Sequence, residues 1–245
     1  MELNYELKYE NRYNIMKNVK ILFIDTETTG LPEMLNFNNF HPYNKTKYYD
    51  CCRIVSIACA VYEMCVGETE YNQIYVNDVP YKIDTNLVSP MKHIKTLNFI
   101  IKPDKFKIHN SNFHGITEHK AEKFGVKLID AVREIMSYSI DCKLLIAHNV
   151  QFDQNVLASE LYRSGNKKEL EWLLQMDTFC TSIGGSRITK IPFRGREYKY
   201  PKLSELYYFL FGKNPIIQHD ALGDVETLVA CFQCLTAHNI ITFEK

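Results

Sequence analysis

Asp25 and Glu27 stand two residues apart at the end of an unbroken apolar run, Ile21-Leu22-Phe23-Ile24. Side chains alternate along an extended strand, so both carboxylates project from one face into one small volume while Thr26 points away. Two anions held that close need a cation. A strand that simply ends at a polar surface shows the same Asp-x-Glu, so the pair by itself leaves both readings open. Asp153 and Asp224 extend the set. Asp153 follows a second apolar run, Leu144-Leu145-Ile146-Ala147, at the start of a helix, where unpaired N–H groups favour an acid whatever its task. Asp224 lies among Ala221, Leu222, Val225, Leu228, Val229, Phe232 and Leu235, the apolar positions of the last helix. An acid at the margin of a buried stripe needs a partner, because an unpaired buried carboxylate is costly. His219, before Asp224, titrates near neutral pH. On one continuous helix the five-residue spacing would set the two about 140° apart. They converge only if His219 precedes the first turn, with Asp220 as the N-cap; otherwise a histidine before a helix is a surface residue.

The elements that must deliver these side chains follow from the pattern around them. Residues 21–24 read as a strand buried on both faces, closed by the turn Gly30-Leu31-Pro32. If its neighbours bring acids to the same edge, it is the central strand. Residues 33–50 form a long loop without a period, of the kind that serves as a lid or an insertion. Arg53 to Glu63 is β-branched and apolar, a second strand. A short strand is predicted near 71–76 and a stronger one over 97–102, stopped by Pro103, with a surface excursion over 77–96 between them. Strands in succession without helices are usually antiparallel neighbours. The pattern then turns helical, with Thr117 as an N-cap and Gly125 as a stop, and a helix over 127–138. The strand at 144–147 leads into a helix to about Arg163. Residues 169–177 are ambiguous, with a strand expected near 175–177, and helices cover 202–211 and 220–237. Strand, helix, strand is the mark of a parallel portion. The expectation is one α/β domain over 19–245, antiparallel strands first and helix-covered parallel strands after, with insertions near 33–50 and 77–96. Residues 1–18 are polar and read as an arm.

Bulk properties narrow the field. The chain has 245 residues, 46% of them hydrophobic, enough for one large core. Its 29 basic and 29 acidic side chains cancel, so any attraction to nucleic acid must be local. No apolar run reaches the roughly 18 residues of a membrane span, and the N-terminus has no basic segment followed by an apolar one. The expectation is a soluble intracellular protein, with no membrane partner and no compartment specified. The eight cysteines are scattered, and only Cys231-x-x-Cys234 has ligand spacing without a second half to complete it, so they read as reduced core thiols.

Taken in order, the motifs resemble a known family. Asp25-Thr26-Glu27-Thr28-Thr29-Gly30-Leu31, His114-Gly115-Ile116-Thr117, Ala147-His148-Asn149-Val150-Gln151-Phe152-Asp153 and His219-Asp220-Ala221-Leu222-Gly223-Asp224 look like the successive motifs of the DEDD exonucleases. The histidine five positions before the last Asp places the resemblance in the DEDDh branch, with the proofreading epsilon subunit of DNA polymerase III and ribonuclease T. It implies an RNase H-like fold, a five-stranded mixed sheet flanked by helices, and stepwise removal of 5′-nucleotides from the 3′ end of single-stranded DNA or RNA. It also implies two divalent ions, Mg²⁺ or Mn²⁺, held by Asp25, Glu27, Asp153 and Asp224, a donor set whose hard oxygens suit them. Asp25 would bridge the ions and His219 would act as general base. Thr28, Gly30 and Leu31 resemble positions that receive the terminal nucleotide, and His148 and Asn149 a site-lining pair. Association with a polymerase or replication complex is a further implication, and a binding or polymerase-associated module of the same fold is the alternative. Apart from the resemblance, residues 187–202 interleave Arg194, Arg196 and other basic side chains with Phe193, Tyr198 and Tyr200, a composition that tracks a phosphate backbone or forms a solvated loop.

Overall fold

The apolar run that opens the chain extends into an eleven-residue strand, β1 (Asn18–Thr28), in which Ile21, Leu22, Phe23 and Ile24 are all buried. Burying each such side chain is worth about 1.5–3 kcal/mol, which fixes this strand at the centre of the sheet. The computed structural model describes residues 18–36, 39–66, 73–79, 83–216 and 220–244. Residues 1–17 of the expected arm therefore lie outside the described residues, and Asn18 already belongs to β1.

After β1 come the short strands β2 (Met34–Asn36) and β3 (Asn39–Phe40) and a 3-10 turn at Thr46–Tyr49. β4 (Ile54–Cys65), β5 (Gln73–Val76) and β6 (Met91–Ile100) precede three helices, α1 (Ser111–His114), α2 (Glu118–Phe124) and α3 (Leu128–Ser139). β7 (Leu144–Ala147), α4 (Val150–Arg163), α5 (Lys167–Leu174), β8 (Asp177–Cys180) and α6 (Thr181–Thr189) follow. The hairpin of β9 (Pro192–Phe193) and β10 (Arg196–Tyr198), α7 (Leu203–Phe211), α8 (Ala221–Ala237) and β11 (Ile241–Glu244) complete the chain.

The main sheet has the order β6-β4-β1-β7-β8. β4 pairs antiparallel with both β1 and β6, while β7 runs parallel to β1 and β8 parallel to β7. This is the expected mixed five-stranded sheet, antiparallel in its first three strands, flanked by helices and with β1 in the middle. Leu22 and Ile24 face a core shared with α3, α4 and α5, whereas Ile21 and Phe23 face a second core built on α8. There the ring of Phe23 packs edge-on against Phe232 of α8 at 5.3 Å. The carboxyl ends of β1, β7 and β8 share one edge of the sheet, so residues just beyond them converge.

Several elements differ from the expectation. The segment 77–96 is not wholly a surface excursion, because β6 begins at Met91. It is an edge strand, and its outward Lys92, His93 and Lys95 hide the apolar alternation that identifies an inner strand. The short strand near 71–76 is present as β5, but it pairs with β11 in a separate ribbon. Residues 169–177 resolve into α5 and the start of β8, which begins at Asp177. The long loop after Pro32 is built: its described part carries the β2–β3 hairpin and docks on α4 through Phe40 on Phe152 and Tyr43 on Tyr162. Of the eight cysteines Cys51 and Cys65 are exposed, so not all are core thiols.

Candidate functional site

Register and capping bring the acids together. Along β1, Asp25 and Glu27 continue the face of Ile21 and Phe23, opposite Ala58 and Ser56 of β4, and a bulge between Glu27 and Thr28 ends the regular pairing. That face is the one covered by α8. The helix begins where Asp220 accepts a hydrogen bond from the Gly223 N–H at 3.1 Å, so Asp220 is the N-cap the sequence predicts. Asp224 then sits in the first turn, its N–H bonded to the Asp220 carbonyl at 2.9 Å. One carboxylate oxygen from each of Asp25, Glu27 and Asp224 lies within 4.8 Å of the others.

Asp153 arrives from the opposite side of β1. It is buried in the first turn of α4, and its Oδ1 accepts two hydrogen bonds from Thr26, from the backbone N–H at 3.0 Å and from Oγ1 at 2.8 Å. Thr26 points away from the acids, as alternation requires, and that direction lets it hold the fourth carboxylate. This role went unassigned in the sequence, where alternation said only that Thr26 points away from Asp25 and Glu27.

The electrostatics of the set are those of crowded, buried acids that could hold a cation. Burial, followed by the charges of Asp153, Asp224 and Glu27, holds the Asp25 carboxyl well above the usual range. Burial and then Asp224 and Asp220 push Glu27 up to about 7. Burial likewise raises Asp153 to about 7, against the hydrogen bonds from Thr26 that favour its ionised form. Asp25, Glu27 and Asp153, which burial above all keeps from ionising, and Asp224 beside the first two offer the oxygen donors a hard divalent ion takes. His219 lies outside the described residues.

The sequence profile of the RNase_T exonuclease family matches residues 22–232, a span that includes all four acids and His219. The chain belongs to the exonuclease family. Among solved structures it resembles Exonuclease I from E. coli, in complex with a dA16 oligonucleotide, at 19% identity and a TM-score of 0.55, covering 90% of this chain and 41% of that one. It resembles Exonuclease I from Methylocaldum szegediense at 19% identity and a TM-score of 0.54, covering 89% of this chain and 40% of the other. The chain thus spans about two-fifths of the length of these structures, and the likeness shows a shared fold. A search of curated proteins found no match.

In this exonuclease-family chain the turn beyond Glu27 is fixed by its own bonds. Thr28 donates through Oγ1 to the Gly30 carbonyl at 2.8 Å, and Thr29 donates through Oγ1 to the Cys51 carbonyl at 3.0 Å. A Cβ on Gly30 would lie 2.9 Å from that same carbonyl oxygen, so the close approach of the two backbones requires glycine there. Gly30 and Leu31 line a pocket of about 390 Å³ with Thr29, Arg53, Phe106, Lys107, His109 and Asn110. The Leu31 side chain is 69% exposed at its rim. Thr28 is not among the lining residues. Asn110, which donates to the Thr29 carbonyl at 3.2 Å, is one the sequence reading did not single out, and no spacing marks it.

The remaining predicted residues are placed as follows. His148 uses both ring nitrogens within the protein, Nε2 with the Pro201 carbonyl at 2.8 Å and Nδ1 with Thr181 Oγ1 at 3.0 Å. A carbonyl only accepts, so Nε2 carries the proton and Nδ1 accepts from the threonine. Burial drives this imidazole down to about 4. Asn149 adopts the left-handed conformation, φ 84°, immediately before α4. Arg194 sits at the tip of the β9–β10 hairpin, and Arg196 lies in β10, where its side chain is outside the described part. Other residues of that segment, Arg187, Tyr198 and Tyr200, line a groove of about 630 Å³ with Gln151 and Phe179, beside the ends of β7 and β8. Lys199 is committed to Glu205 at 2.6 Å.

Proposed function

We propose that the chain is a metal-dependent 3′–5′ exonuclease that hydrolyses the terminal phosphodiester bond of single-stranded DNA or RNA and releases 5′-mononucleotides. The observation that carries this reading is the convergence of Asp25, Glu27 and Asp224 within 4.8 Å, at the strand edge to which Thr26 ties Asp153. These four would hold two Mg²⁺ or Mn²⁺ ions, which when bound supply Lewis-acid stabilisation of the attacking and leaving oxygens. His219, just ahead of the α8 cap, takes a proton from the attacking water on an imidazole nitrogen, and the water oxygen bonds to phosphorus as the 3′-oxygen leaves. Gly30 and Leu31 receive the last nucleotide in the pocket beside β1, and Arg194 and Arg196 track the phosphates upstream. A relative of the same fold is solved with dA16, which makes single-stranded DNA the first substrate to try.

Asp224→Ala tests the assignment. It removes one of the three converging carboxylates and should lower metal-dependent turnover by about 10³-fold or more, since residues acting as a unit fail together. Near-normal metal-dependent turnover in Asp224→Ala would contradict the assignment. Comparing matched DNA and RNA oligonucleotides in the same assay reads the sugar preference, through any contact to the 2′-OH.

A further inference from the structure

Asp153 keeps its place behind Thr26, beside the strand edge that carries Asp25 and Glu27, only if α4 is held at a fixed height and angle against β1. Its bonds to Thr26 supply one fixed point, and a helix fixed at one point can still pivot. A second point lies on the same face. Glu160 is seven residues beyond Asp153, which brings its side chain to within about 20° of the same direction, two turns or about 10 Å along the axis. Glu160 forms a bidentate ion pair with Arg53, Nε to Oε1 at 2.6 Å and Nη2 to Oε2 at 2.9 Å. Both residues are buried, at 8% exposure for Arg53 and 7% for Glu160, and the guanidinium lies over the Phe106 ring at 4.5 Å.

Arg53 is itself bound to the tip of β1. The Thr29 N–H donates to the Arg53 carbonyl at 2.9 Å, and the Arg53 N–H donates to Thr29 Oγ1 at 2.9 Å. The ties close a ring: Thr26 to Asp153, along α4 to Glu160, across to Arg53, and back through Thr29 to β1. One side of this ring carries Asp25 and Glu27, the other carries Asp153, and Arg53 also lines the pocket beside Gly30 and Leu31.

Stability is a weak reason for such a pair. Taking two charges out of water costs about as much as their attraction returns, and apolar residues of similar size often serve as well or better. A bidentate fork supplies what apolar packing does not, one distance and one orientation between two elements.

We infer that Arg53 and Glu160 are positioning residues that set α4, and with it Asp153, against the metal-binding edge of β1. The inference rests on the exonuclease reading above. It is tested with the full chain in three forms, wild type, Arg53→Lys, and Arg53→Met combined with Glu160→Leu. Each is compared by thermal melting, by calorimetric titration with Mn²⁺ alone, and by steady-state cleavage of a single-stranded oligonucleotide. The double variant should melt close to wild type. It should nevertheless bind Mn²⁺ about tenfold or more weakly, with kcat lower by about 100-fold. Arg53→Lys keeps the charge without the fork, should show the same loss of kcat, and decides the matter if the double variant does not fold. Wild-type Mn²⁺ affinity and kcat in folded variants would overturn the inference. A lowered melting temperature with both quantities intact would do so too, since that is the mark of a merely structural pair. A wild type that binds Mn²⁺ but cleaves nothing would instead overturn the exonuclease reading, and the Mn²⁺ titrations would still decide for or against the role of the pair. A wild type that takes up no Mn²⁺ would overturn both.

Discussion

Thr26 shows how much rests on single side chains at this edge. Its hydroxyl and its N–H both donate to Asp153, and Thr26→Val keeps the N–H and the shape while deleting the hydroxyl. Loss of one hydrogen bond to this buried acceptor should lower the unfolding free energy by about 0.5–1.5 kcal/mol and weaken Mn²⁺ binding in parallel. His148 makes a prediction of a different kind. Its imidazole is held neutral, with an ordinary value of 6.5 lowered to about 4 by burial. Between those values the unfolded chain binds the proton and the folded one does not. The stability owed to the neutral ring is therefore complete above about pH 6.5 and lost as the pH falls toward 4. At about 1.4 kcal/mol for each pH unit, the loss is on the order of 3 kcal/mol. Denaturant melts of wild type and His148→Gln at pH 7 and pH 4.5 check it: the variant should lose distinctly less stability over that interval.

At the scale of elements, the cap of α8 couples helix stability to the site. Asp220→Ala leaves the Gly223 N–H without its acceptor and should cost about 1 kcal/mol. Because Asp224 lies in the turn so loosened, Mn²⁺ affinity should fall with the melting temperature, which calorimetry on the same sample reads. This cap, β1 and β7 were legible because their signals are local: an apolar run, an acid before a helical period, a turn after each. α6 was not. Thr181 to Thr189 contains Gly184 and Gly185, and glycine is a poor helix former, but the structure uses the pair to let the helix pack close. A Cβ on Gly184 would stand 3.2 Å from the Phe179 ring, and one on Gly185 2.9 Å from Pro201. Such requirements come from partners distant in sequence. The same holds for the ion pair of Arg53 and Glu160, 107 positions apart, which no motif announces. The four acids and His219 stood out only jointly, through motifs in a fixed order, and His219 lies outside the described residues. Of these, Asp25, Glu27 and Asp224 are brought together, with Asp153 behind Thr26.

Across the whole molecule the charges balance, 29 against 29, so binding to a polyanion must come from a local concentration of cations. The β9–β10 hairpin is the place proposed for it. Neutralising Arg194 and Arg196 to glutamine should weaken oligonucleotide binding and flatten its salt dependence, by about 0.7 in the logarithmic slope for each phosphate that the arginines no longer neutralise. An unchanged slope in a filter-binding or anisotropy titration would assign the hairpin to solvent. The acids give the converse prediction. Carboxylates that resist ionisation together should be relieved by a divalent ion, so Mn²⁺ at 100 times its dissociation constant should raise the stability of the whole fold by about 2.7 kcal/mol, and chelation should remove the gain.

As proposed, the edge carrying Asp25, Glu27, Asp153 and Asp224 removes nucleotides one at a time from a 3′ end. A 5′-labelled single-stranded DNA incubated with the protein and Mn²⁺, sampled over time and resolved by length, tests it most directly. The expected result is a ladder that shortens by single nucleotides from the 3′ end, with 5′-mononucleotides in solution and no ladder for Asp224→Ala or in chelator. Internal cuts, loss of the label from the 5′ end, or an intact oligonucleotide with folded, Mn²⁺-loaded protein would contradict it.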